Sequence, residues 1–119
     1  MTIQTLAKLD GKFQYDLDTD QQILYVEASG TYNDEETVLA FQAFNDVISK
    51  NDPTKLTVVL KFNTIDYVDD DRADVIIETL KLYLNAGFPK VKMQTPDNLA
   101  TRLQLEDAIE ESGLSVELL

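Results

Sequence analysis

Three consecutive carboxylates, Asp69-Asp70-Asp71, follow an apolar run and precede Arg72 and a helical pattern. Such a cluster has three chemical uses. A helix N-terminus exposes unpaired N–H groups and a partial positive charge, so one or two Asp there act as cap and dipole compensation, with Asp74 adding to it. The surplus carboxylate can present fixed negative charge to a basic partner, or help hold a cation. A second acidic pattern, Asp16-Leu17-Asp18-Thr19-Asp20, has the start of a calcium-binding loop, with Ile23 at the eighth and Glu27 at the closing twelfth place. Its sixth place is Gln21 rather than the Gly that the sharp turn needs, and its flanks alternate like strands rather than helices. It is read as an acidic hairpin turn, and no metal site or cofactor is expected.

The chain contains no histidine and no cysteine. Imidazole proton shuttling, Ser-His-Asp and Cys-His catalysis, thiolate chemistry, disulfides and Cys-type zinc sites are therefore excluded. Carboxylates, Tyr and Lys remain as acid–base groups, and a small hydrolase working with carboxylates alone is the least favoured reading. The four glycines are scattered, so no phosphate-cradling loop is present. A net charge of −12 opposes binding to nucleic acid or to an anionic membrane surface, both of which gain affinity from Lys and Arg. A partner with a basic patch is more natural. No apolar run approaches the roughly 20 residues that span a bilayer. The first nine residues are too short and mixed for a signal peptide. A cytoplasmic, non-enzymatic protein is expected.

The elements that must position these groups follow from periodicity. A hydrophobic content of 44 % over 119 residues fits one domain, 1–119, with residues 1–12 as a weakly patterned lead-in. Phe13, Tyr15 and Leu17 alternate with polar residues, as do Leu24, Val26 and Ala28, predicting an antiparallel hairpin. Asn33 with Glu36 forms a capping-box pattern before a helix over 34–50, whose apolar positions are Val38, Phe41, Phe44, Val47 and Ile48. Leu56 to Phe62 is the most strand-like run. A helix is expected from about Arg72 to Asn85, with Ala73, Ile76, Ile77, Leu80 and Leu84 inward and Gly87 at its C-terminal cap. Val75, Leu82 and Tyr83 make this helix apolar on a further side, from burial or from a partner surface, including a second copy of the chain. Lys90–Gln94 is a short strand. A third helix over 98–112 turns Leu99, Leu103 and Ile109 inward, and Ser115–Leu119 makes a last strand. The fold class is α/β: a two-layer, mixed but mostly parallel sheet of about five strands in the order β-β-α-β-α-β-α-β, with right-handed crossovers. Polar residues interrupt the strands (Thr57, Lys61, Lys92, Gln94), which places the helices mainly on one face.

Gly30-Thr31-Tyr32-Asn33, the run Leu56–Val68, Val68-Asp69-Asp70-Asp71-Arg72, and Arg102–Ile109 followed by Gly113-Leu114 together resemble a STAS domain, the fold of bacterial anti-sigma-factor antagonists, over roughly residues 13–119. The resemblance implies a regulatory protein-interaction module. The family's phosphorylatable serine falls at Asp70, its following Ser/Thr and Gly at Asp71 and Arg72, and only Asp69 matches. A switch by serine phosphorylation at that position is therefore absent, and Asp70 stands as a fixed charge where relatives add a phosphate. No counterpart of the helix that such domains carry after the last strand is expected within residues 1–119. Asp69, Asp70, Asp71, Arg72 and Val75 are the expected partner-binding residues. The alternative is a carrier of a small apolar ligand or lipid, since some STAS-like relatives resemble lipid-binding domains; the ligand would then lie on the open sheet face against Tyr25 and Val59.

Overall fold

A computed structural model of the chain describes residues 3–119, the side chains of Asp70 and Asp71 excepted. The expected partner contacts of those two carboxylates, and the first two residues of the lead-in, lie outside the described residues. Six strands form one sheet in sequential order: β1 (Ile3–Leu9), β2 (Phe13–Asp18), β3 (Ile23–Gly30), β4 (Thr57–Ile65), β5 (Lys90–Gln94) and β6 (Glu117–Leu118). The pairings β1–β2 and β2–β3 are antiparallel; β3–β4, β4–β5 and β5–β6 are parallel. Helices α1 (Asp34–Lys50), α2 (Asp70–Ala86) and α3 (Leu99–Ser112) make the crossovers.

Alternation puts Tyr15, Leu24, Val26, Val58, Leu60 and Met93 on one face of the sheet, where Phe44 and Val47 of α1, Leu80 and Tyr83 of α2 and Leu105 and Ala108 of α3 cover them. The opposite face carries Gln14, Asp16, Tyr25, Lys61 and Lys92 and is at least partly wet. The fold is thus two-layered with helices on one side. α1 begins at the capping box: the Asn33 side chain accepts from the Glu36 N–H at 2.8 Å, and the Glu36 side chain accepts from the Asn33 N–H at 3.0 Å. Asn98 caps α3 in the same sense, accepting from the Thr101 N–H. Gly87 closes α2 at φ 86°, a left-handed position that glycine takes without steric cost.

Five expectations need correction. The sheet has six strands rather than five, because the lead-in contributes β1. A register shift between Thr5 and Ala7 breaks its alternation, so that Leu6, Ala7 and Leu9 all reach the core although no period-2 pattern links them. The last strand shrinks to Glu117–Leu118. On α2 the inward face is rotated: Tyr83 is 2 % exposed while Leu84 is 43 % exposed. On α3 the expected inward residues Leu99 and Leu103 are 57 % and 49 % exposed, and the buried ones are Thr101, Leu105, Ala108 and Ser112. Small residues on its buried side suit the close packing of α3 against α2. The Thr101 and Ser112 hydroxyls are satisfied inside the helix, by Asn98 Oδ1 and the Ile109 carbonyl, so their burial leaves no orphaned polar group. On α1, Val38 likewise faces outward, at 53 % exposure.

Candidate functional site: an aromatic cleft between α1 and α2

Helices α2 and α3 pack closely along their length, whereas α1 and α2 are splayed apart over the C-terminal ends of β3 and β4. A cavity of about 130 Å³ fills the gap. Its floor is the core face of the sheet, from Phe13 and Tyr15 through Val26 to Phe62. Ala40, Phe41 and Phe44 of α1 form one wall, and Val75, Ile76, Thr79 and Tyr83 of α2 the other. Seven of the chain's ten aromatic residues line this one space. Several meet edge to face: Phe13 and Tyr15 have ring centroids 5.7 Å apart, and Phe44 and Tyr83 4.7 Å apart.

Two loops shape the mouth. The β3–α1 loop is tied down by Lys12 from the β1–β2 hairpin. Lys12 Nζ donates to the Thr31 carbonyl at 2.6 Å, pairs with Glu36 at 3.4 Å and lies over the Tyr32 ring, whose hydroxyl donates to the Lys12 carbonyl. The β4–α2 loop is held by Gln104 of α3, which brackets Val68. Its Oε1 accepts from the Val68 N–H at 3.1 Å, and its Nε2 donates to the Val68 carbonyl at 2.8 Å. The loops meet where the Asp66 N–H donates to the Gly30 carbonyl at 3.1 Å.

The expected partner residues divide between this mouth and the solvent. Asp69 occupies the N-cap position of α2, but its side chain makes no cap hydrogen bond and is exposed. Arg72 reaches across the cleft to α1: Nη1 pairs with Asp34 Oδ1 at 2.7 Å and Nη2 donates to Thr37 Oγ1 at 3.3 Å. Arg72 and Val75 both line the cavity. The strand–loop–helix corner singled out from sequence is therefore one lip of an apolar cleft. Tyr25 and Val59 are not part of it. They lie on the opposite face of the sheet, where Lys61 Nζ sits 4.9 Å from the Tyr25 ring centroid. The other residues that build the mouth, Lys12 and Gln104, carry no sequence signal: a hairpin lysine and a helix glutamine reach the site only through the fold.

Burial pushes the Tyr15 hydroxyl up to about 12, and it donates to the Ala40 carbonyl at 3.4 Å while sharing a hydrogen bond with Tyr83. Burial likewise raises Tyr83 well above the ordinary phenol value, and Tyr32 upward. Near neutral pH all three are neutral phenols rather than phenolate bases. The acidic hairpin behaves as a turn. Asp18 Oδ1 accepts from the Asp20 and Gln21 N–H groups, and Asp16 accepts from Thr5 and Gln14. Among the described residues no group of three or more Asp, Glu, His or Cys is placed to hold a metal. No helix formed by them is long and apolar enough to cross a membrane. In comparison with known proteins, the chain matches no family model and no curated sequence.

Proposed function

We propose that this chain is a non-enzymatic, STAS-like binding domain whose ligand is a small apolar molecule held between α1 and α2. The observation that carries the reading is the cavity between α1 and α2 at the C-terminal ends of β3 and β4, concave, lined mostly by apolar and aromatic side chains and edged by a few polar groups, the character of a small-molecule site. The sequential order of β3, α1, β4, α2, β5, α3 and β6 supports the STAS-like comparison. Toluene added to the protein should shift the methyl resonances of Val26, Val75, Leu80 and Leu105 in a saturable way, read in two-dimensional carbon–proton spectra. Shifts confined to the exposed Leu99 and Leu103, or no saturable shift, would discard the proposal.

A second reading, the regulatory protein-interaction module, is favoured by one observation: Asp69 stands at a helix start without spending its carboxylate on the cap. Its charge is then available to a basic partner on the same lip that Val75 and Arg72 form. A partner of this kind should lose affinity on Asp69→Lys, measured by titration calorimetry, and an unchanged dissociation constant would remove the reading.

A further inference from the structure

We infer that the ligand of the cleft is a single aromatic ring that bears one neutral hydrogen-bond acceptor, such as an aromatic ketone, aldehyde or amide, with the acceptor at Arg72; this rests on the proposed ligand-binding function. Three observations converge. The cavity, at about 130 Å³, is close to the roughly 150 Å³ of an apolar cavity that takes up benzene. That volume suits one ring and not a long acyl chain. Aromatic residues are prominent in the lining: Phe13 meets Tyr15, and Phe44 meets Tyr83, edge to face with ring planes at 64° and 62°, an arrangement which an aromatic guest extends and an alkyl guest does not. The mouth is asymmetric. Arg72 has five N–H donors and spends two of them on Asp34 and Thr37 among the described residues. Arg72 donates and cannot accept, and the Thr37 hydroxyl donates its proton to the Asn33 carbonyl. Thr37 therefore offers no proton to a guest, and the donors left for an incoming acceptor at this mouth are the remaining Arg72 N–H groups.

The sign of the charge follows from the surroundings. Arg72 is already paired with Asp34, and Asp66 also lines the mouth. The whole chain carries −12. A carboxylate would compete with Asp34 for the guanidinium and face the repulsion of its neighbours, so the acceptor is neutral. An ammonium would lose its hydration on entering the apolar interior.

Dissociation constants from methyl-shift titrations with toluene, acetophenone, benzoate, benzylamine and dodecane test this. Acetophenone should bind about tenfold tighter than toluene, the preference expected of one hydrogen bond from a charged donor. Benzoate and benzylamine should both bind more weakly than acetophenone, and dodecane should not bind. In Arg72→Met the acetophenone-to-toluene preference should fall to about one. A preference that survives this change, with both affinities lowered together, means that Arg72 only clasps α1 to α2, and overturns the acceptor assignment. Benzoate binding as tightly as acetophenone overturns neutrality, and dodecane binding overturns the single ring; both leave the ligand-binding function standing. Failure of every probe removes that function as well. Ala40→Leu, which fills the cavity from the α1 side, should abolish binding of toluene and acetophenone. If Ala40→Leu does not fold, Val75→Phe closes the space from the half-buried α2 lip. Undiminished binding in a folded filled variant overturns the location.

Discussion

At the scale of residues, the capping box of α1 supports the cleft directly, because Asn33 and Glu36 start the helix that forms one wall. Asn33→Ala should destabilise the fold by about 1 kcal/mol, checked by urea denaturation. Glu36 also responds to pH. The Asn33 N–H first, and then Lys12, hold its carboxyl below the ordinary value. A depressed carboxyl contributes stability that is present above its unfolded value and lost as pH falls through the lower folded one. Stability should therefore drop on acidification below the ordinary glutamate range of about 4.3. Glu36→Gln should flatten that part of the curve in denaturant melts across the range; an unaltered slope would show that other carboxylates govern it. Gly87→Ala tests the αL cap of α2. The added Cβ would meet only the Thr54 methyl at 3.6 Å, ordinary contact, so the cost of roughly 1 kcal/mol comes from the left-handed backbone.

At the scale of elements, the faces of α2 and α3 decide which apolar residues carry stability. Leu105 is 1 % exposed and sits among the sheet and the cleft, whereas Leu103 is 49 % exposed. Leu105→Ala should cost about 2–5 kcal/mol. Leu103→Ala should cost less than about 1 kcal/mol. Comparing the two melting midpoints checks the rotation of α3 directly, and equal losses would restore the inward placement expected from sequence. The reason periodicity misassigned α3 is visible in its residues. Its buried stripe is Thr101, Leu105, Ala108 and Ser112, only one of which is strongly apolar, while two leucines point outward. A pattern method weights leucines. The packing weights closeness, and small side chains with internally satisfied hydroxyls permit it. β1 was missed for a different reason, since a bulge removes the alternation on which strand recognition rests.

At the scale of the whole molecule, the splay of α1 from α2 gathers Tyr15, Tyr32 and Tyr83 into one apolar region and raises all three hydroxyls. The sign is opposite to that of Glu36. A phenol whose folded value is raised contributes stability that is whole below its unfolded value of about 10 and is lost as pH rises toward the folded one. With Tyr15 at about 12, unfolding should set in between those two values. Phenolate absorbance from these three should appear together with loss of circular dichroism. Phenolate formation by all three in a chain that stays folded would contradict their burial.

Composition, charge and period by themselves determined a great deal: an α/β chain, the antiparallel opening hairpin, α1 with its cap, and the helices on one face. These are local or statistical properties, set by alternation, capping chemistry and the types of residue absent. The cleft was decided only by the tertiary structure. Its aromatic residues come from β2, the β3–α1 loop, α1, β4 and α2, and nothing in their separate spacings marks them as neighbours. The distance between α1 and α2 depends on how all three helices share the width of the sheet. α3 takes a close seat beside α2, and the space opens on the other side of α2, where the Arg72 guanidinium reaches across to Asp34 and Thr37 of α1.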